Sequence, residues 1–213
     1  KNQVKAAPVL LTREHLADGK AQAVIINSGN ANACAPFGME HARRQGLAAA
    51  RALQVDEENV VVASTGIIGQ TLPVEAIEAH AAEMEMKYDN SLAAAEAIMT
   101  TDTKIKMFAV EFEAGGTLCH MGGICKGSGM IHPNMGTMLC FITTDCAISA
   151  EMMKKALLFY VDKTFNRVTV DGDTSTNDMC VVMANGMAGN KEITEENESY
   201  DAYCEALHAV MED

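Results

Sequence analysis

Two short apolar runs, each ending in small polar residues, set the tightest limit on what this chain can fold into. Residues 21–27 read AQAVIIN and lead into Ser28-Gly29-Asn30, and residues 59–63 read NVVVA and lead into Ser64-Thr65-Gly66. Neither run alternates polar with apolar residues, so neither suits a strand with one wet face. Unbroken β-branched runs fit strands covered on both sides, which demands further layers above and below. Residues 137–143 (TMLCFIT) and 179–183 are strand candidates of similar character.

Helical signals fall between these runs. A helix is expected over residues 39–53, just after Pro36 and Gly38, and Pro73 opens another running towards Met86. Further helices are expected over 92–99, over 149–161 with Ser149 as cap and Glu151 in the first turn, and over 195–210. Residues 106–112 and 117–121 form a hairpin pattern about Gly115-Gly116. Residues 166–170 read as one more strand, and the chain opens at Lys1 in a run resembling the approach to a strand. Interleaved strands and helices give an α/β class of stacked β-sheets flanked by helices, an α/β/β/α-type arrangement. No stretch rich in Pro, Gly or Ser marks a boundary, so one structural domain is expected.

Charge excludes one class of partner. The chain carries 16 Lys+Arg against 29 Asp+Glu, a net −13, and nucleic-acid binding needs clustered basic residues instead. Part of the acidity is local, since residues 191–213 hold eight acidic residues and one lysine, the pattern of a solvated helix face. Seven cysteines lack the close spacing of a zinc knuckle and read as reduced thiols acting as small hydrophobes. With no long apolar segment and no signal peptide, a cytoplasmic protein is expected. The missing initial methionine and the acidic end point to part of a longer polypeptide.

Chemistry concentrates in the polar residues after the strands. Asn27-Ser28-Gly29-Asn30-Ala31-Asn32 permits close backbone approach, as a packed turn or as part of a site. Thr65 and Gly66 can supply a two-donor oxyanion hole, although Ser-Thr-Gly is also a common strand end. Lys126-Gly127-Ser128-Gly129 lacks phosphate-loop spacing, because the lysine precedes the glycines. Its lysine can receive a small anion or simply lie at the surface. The loop Asp171-Gly-Asp-Thr-Ser-Thr-Asn-Asp178 does not meet calcium-loop spacing, and its three carboxylates are expected to hold loops together through backbone N–H groups, with Thr and Asn completing the network and without metal. The six histidines offer no triad by spacing: His15, His41, His80 and His208 fall on helix-like or surface-like segments, and His120 and His132 flank the lysine loop. A threonine freed at its amino group offers another route, with its own amine as base, unperturbed near pKa 7.7–8.0. Thr137 follows Gly136, a residue that leaves a scissile carbonyl unhindered.

At these residues the chain resembles the bifunctional ornithine acetyltransferase/N-acetylglutamate synthase family of arginine biosynthesis. Five ordered stretches carry the resemblance: Asn27-Ser-Gly-Asn-Ala-Asn32, Ala63-Ser-Thr-Gly-Ile-Ile-Gly69, Met99-Thr-Thr-Asp-Thr103, Lys126-Gly-Ser-Gly-Met-Ile-His-Pro-Asn-Met-Gly-Thr-Met-Leu139 and Asp171–Asp178. The resemblance implies a self-processing, N-terminal-threonine nucleophile enzyme cleaved between Gly136 and Thr137. Residues 1–136 then correspond to one processed chain and 137–213 to the start of the other. It implies transfer of acetyl from N2-acetyl-L-ornithine to L-glutamate through acetyl-Thr137. Thr65 and Gly66 would form the oxyanion hole, Lys126 would meet substrate carboxylate, and Thr100 or Thr101 would line the substrate site. No cofactor is implied, except acetyl-CoA as an acetyl donor in some members, and the assembly holds two copies of each processed chain. Gly136 stands where alanine is common in the family. The family's Asp-Gly-Glu-Gly-Ala-Thr-Lys type stretch, which bears a catalytic glutamate, has no match here, so weak or no turnover is expected of this length of chain. Two rival readings fit the same residues. One is a related self-processing aminopeptidase or amidohydrolase; the other is a non-catalytic small-molecule-binding or assembly subunit.

Overall fold

A computed structural model describes residues 2–132 and 138–212. In chain order its main elements are α1 (Ala7–His15), β1 (Ala23–Asn30), α2 (Gly38–Leu53), β2 (Val60–Ile67), α3 (Val74–His80) and α4 (Ser91–Ala97). There follow β3 (Lys106–Ala114), β4 (Thr117–Lys126), β5 (Leu139–Thr144), α5 (Ala150–Val161), β6 (Met179–Ala184) and α6 (Glu198–Glu212). Strands β1 and β2 pair in parallel, and a second sheet has the order β3-β4-β5-β6, with only β5–β6 parallel.

The period of two along each strand explains the layers. On one face of the β1–β2 pair, Ile25, Val60 and Val62 pack with Leu11 of α1 and Ala42, Ala49 and Ala50 of α2. On the other face, Val61 and Ala63 meet Leu139 and Phe141 of β5 and Met179 and Val181 of β6. The intervening residues Cys140, Ile142 and Val182 point the opposite way, into a core shared with α5 and α6. Helix, sheet, sheet and helix therefore stack in the expected order, and the unbroken apolar runs are covered on both faces.

Helix α1 corrects the expected strand-like opening. Pro8 sits in its first turn, where a missing N–H costs nothing. Its buried polar residues serve β2 directly. Thr12 Oγ1 donates to the Val62 carbonyl and accepts from the Val62 N–H, both at 2.8 Å, and His15 Nδ1 lies 2.8 Å from the Val60 carbonyl. Backbone groups that β1 does not use are thus satisfied by a helix. His15 and His41 lie on helices, within the helix-like or surface-like expectation, and both are buried.

Other boundaries shift for local reasons. The helix opened by Pro73 ends at His80 and passes into a 3-10 turn over Ala81–Glu83, short of Met86. The strand expected over 166–170 is instead a 3-10 turn, Phe165–Arg167, followed by irregular chain. There Thr164 Oγ1 caps the Tyr160 carbonyl at 2.8 Å, and the chain turns so that Phe165 packs on the core, leaving Val168 and Val170 exposed. The hairpin forms as expected, with Gly115 (φ 59°) and Gly116 (φ 82°) both in the left-handed region that a two-residue turn requires. Ser149 caps α5, accepting from Met152 N–H at 3.3 Å.

Phe141 is 5% exposed and lies between the two sheets. Phe141→Ala is expected to lower stability by about 3–5 kcal/mol, through lost transfer energy plus a cavity. Urea unfolding with an unchanged slope and a lower midpoint checks it.

Candidate active site

Two of the polar stretches expected to be loops are the ends of strands. The parallel register of β1 and β2 continues through Asn27↔Ser64, Ser28↔Thr65 and Gly29↔Gly66. Strand geometry therefore fixes Thr65, which is 1% exposed. Gly66 has φ +129°, and a Cβ there would stand 2.2 Å from the Gly29 carbonyl carbon and 2.4 Å from its oxygen. Only glycine permits this approach of backbone to backbone.

Lys126 ends β4 and is 2% exposed. Its Nζ donates to Thr65 Oγ1 at 3.2 Å and to Thr100 Oγ1 at 2.8 Å, and it makes no ion pair among the described residues. Burial pushes the ammonium below its ordinary pKa, and the nearby Asp102 charge opposes that shift in part. A desolvated cation served by two neutral hydroxyls is short of counter-charge, so the site is suited to an anionic group.

Residues 99–102 meet this lysine because both ends of the segment are tied down. Ser28 Oγ, at the end of β1, donates to the Met99 carbonyl at 2.9 Å. The Asp102 side chain is fully enclosed and accepts from Lys106 Nζ at 2.6 Å, from Gly127 N–H at 2.8 Å and from Thr100 N–H at 3.3 Å. Burial raises the Asp102 carboxyl, but these donors outweigh it and hold the group below the ordinary carboxylate value. Thr101 turns elsewhere, its Oγ1 2.6 Å from Ser128 Oγ. The structure therefore brings Thr65, Thr100 and Lys126 to one point, with Gly66 beside them and Thr101 one residue removed. Gly136 and Thr137 lie outside the described residues.

The loop before β6 acts as a tie. Asp171 accepts from Met130 N–H (2.5 Å) and Ile131 N–H (3.0 Å), and Asp178 accepts from Met138 N–H (3.0 Å). Asn177 joins this network, as expected of the loop's Asn, and is buried, donating to the carbonyls of Ala31 (2.6 Å) and Ser64 (2.7 Å). Burial drives the Asp178 carboxyl up to about 6, against the opposing effects of Met138 N–H and Ser175. Among the described residues no group of three His, Cys, Asp or Glu side chains is placed to hold a metal, and no helix is long and apolar enough to cross a membrane. His120 lies away from the lysine, against Asp145, with Nδ1 2.7 Å from Oδ2.

Residues 1–213 match the model of the ArgJ family. The chain belongs to that family. It is 50% identical to the arginine biosynthesis bifunctional protein ArgJ of Symbiobacterium thermophilum, over 99% of this chain and 53% of that protein. The corresponding protein of Listeria monocytogenes serotype 4b is 49% identical, over 99% of this chain and 54% of the relative. The chain thus spans about half the length of the curated relatives it matches. Among solved structures, the arginine biosynthesis bifunctional protein argJ of Bacillus halodurans superposes with a TM-score of 0.61 at 40% identity, covering 63% of this chain and 73% of that one. The ornithine acetyltransferase of Mycobacterium tuberculosis complexed with ornithine gives 0.54 at 38% identity, covering the same 63% and 73%.

Two expectations follow from the geometry. Gly66→Ala should destabilise the fold by more than about 1 kcal/mol, because positive φ and the Gly29 backbone both oppose a side chain. A denaturant titration reads this directly. Asp178 binds its proton more tightly folded than unfolded, so its contribution to stability falls as pH rises through about 4 to 6. Asp178→Asn removes that loss, and the melting temperature of the variant relative to the parent should rise across the same window.

Proposed function

We propose that this chain carries the nucleophile-bearing site of an acetyltransferase that moves acetyl from N2-acetyl-L-ornithine to L-glutamate. The observation that carries the reading is the buried Lys126 ammonium, joined by hydrogen bonds to Thr65 and Thr100, in a member of the ArgJ family. Both substrates bear a carboxylate, this lysine makes no ion pair among the described residues, and a point-charge ammonium suits such a group. Thr100, which shares the lysine with Thr65, is the substrate-lining threonine of the adjacent pair, and Thr101 pairs with Ser128 instead.

Chemistry begins with the chain itself. The Thr137 hydroxyl attacks the Gly136 carbonyl, the peptide C–N bond breaks, and the ester so formed is hydrolysed by water. This leaves a free carboxylate on Gly136 and a free amine on Thr137. That amine then serves as base to its own hydroxyl, which attacks the acetyl carbonyl of acetylornithine. Ornithine leaves with the proton on its amine, and the glutamate amine takes the acetyl group in turn, restoring the hydroxyl. Thr65 and Gly66 stabilise the oxyanion of each tetrahedral intermediate, worth about 2.7–4 kcal/mol per donor in comparable sites.

The two pieces, residues 1–136 and 137–213, form one structural domain. Their association follows from β5, which pairs with β4 on one side, as in Lys126↔Leu139, and with β6 on the other. Cytoplasmic location, two copies of each processed chain and the absence of a cofactor complete the reading, with acetyl-CoA as an alternative acetyl donor.

Intact mass under denaturing conditions tests it. The parent is expected to give fragments of 136 and 77 residues, since 213 less 136 leaves 77, and Thr137→Ala a single chain. Incubated with acetylornithine, the fragment beginning at Thr137 should gain one acetyl group, with weak or no onward turnover to glutamate in this length of chain. A parent that remains one chain and takes up no acetyl would overturn the proposal.

A further inference from the structure

The eight-residue loop 171–178 grips the chain on both sides of the segment that contains Thr137. At one end both backbone groups of Ile131 are taken by residues 170 and 171. Its N–H donates to Asp171 Oδ1 at 3.0 Å, and its carbonyl accepts from Val170 N–H at 2.8 Å. At the other end both backbone groups of Met138 are taken by residues 178 and 179. Its N–H donates to Asp178 Oδ1 at 3.0 Å, and its carbonyl accepts from Met179 N–H at 3.0 Å. Parallel pairing makes the second grip possible, because β5 and β6 start level, with Leu139 opposite Met179, which sets Met138 beside Asp178.

The gripping loop is itself held by the ends of the first sheet, by the residue before α1 and by a bond within the loop. Asn177 binds the carbonyls of Ala31 and Ser64, Ala6 N–H donates to the Thr176 carbonyl at 2.8 Å, and Asn177 N–H donates to Ser175 Oγ at 3.0 Å. Ser64 immediately precedes Thr65. One loop therefore fixes Ile131, Met138 and the strand end that carries Thr65 in a common frame.

We propose that Asp171 and Asp178 are positioning residues, a two-point carboxylate clamp that sets how readily Thr137 is cleaved free. The proposal rests on the self-processing reading above. Burying the Asp178 carboxyl is costly, and a charged acceptor in that place binds an amide more strongly than a neutral one. The Met138 amide that it holds belongs to the peptide bond joining Met138 to Thr137, so the clamp acts one bond from the nucleophile.

Three variants of the full chain test this: Asp178→Ala, Asp171→Ala and Asp178→Asn, the last retaining an acceptor oxygen. Amide hydrogen exchange is read at Ile131, Met138 and Ile142, the last as a core reference. Appearance of the two fragments is followed from synthesis onwards. Asp178→Ala should speed exchange at Met138 by about tenfold or more, the loss of one hydrogen bond to a charged group, with Ile131 and Ile142 unchanged. Asp171→Ala should do the same at Ile131 alone. Each alanine variant should cleave about tenfold more slowly or worse, and Asp178→Asn should recover to within about threefold of the parent. Unchanged exchange in both alanine variants, or an equal rise at Ile142, overturns the clamp. So does cleavage at the parental rate despite faster local exchange. If the parent itself stays uncut, the self-processing reading falls and takes the clamp's effect on cleavage with it, whereas exchange that behaves as expected separates this outcome from loss of the two carboxylate contacts.

Discussion

The layer of side chains between the two sheets organises everything else in this fold. Val61 and Ala63 from the first sheet meet Leu139, Phe141, Met179 and Val181 from the second. Close packing there leaves no freedom in how far β2, β5 and β6 advance relative to one another. The ends of β2 and β4 and the starts of β5 and β6 consequently lie together. Lys126 and Thr65 are neighbours for that reason, although they come from separate parts of the chain.

The site is built from groups that each correct a deficit in another. Among the described residues Lys126 has no ion-pair partner, and two threonine hydroxyls carry it. Asp102 is enclosed but satisfied by a lysine and two backbone amides, so it orders Thr100 and Gly127 at the same time. Networks of this kind are stable only when complete.

Much of this was legible in the sequence wherever a local rule operates. Unbroken runs such as NVVVA announced strands covered on both faces, Gly115-Gly116 announced a hairpin, and Ser149 announced a helix start. The carboxylates of loop 171–178 were expected to bind backbone N–H groups, as Asp171 and Asp178 do. What escaped depends on distant partners. Helix α1 carries little amphipathic pattern of its own, and its place is decided by Thr12 and His15 reaching the β2 backbone. Residues 166–170 carry strand-like valines, yet Phe165 wins a place in the core and turns the chain away. Asn177 gives no sign in one dimension that its partners are Ala31 and Ser64. The difference between Thr100 and Thr101 likewise becomes visible only when Lys126 is in place.

The position of β5 has a consequence for how the molecule holds together. Residues 1–136 contribute β1 to β4, and 137–213 contribute β5, β6 and the two helices that cover them. Left alone, the first piece would show the inner face of β2 to water, and the second would show Phe141 and Val181. Neither piece owns a finished core. Breaking the chain between them would therefore yield no pair of independent bodies that dock, but a single cooperative unit with a gap in its covalent thread, whose parts gain or lose structure together.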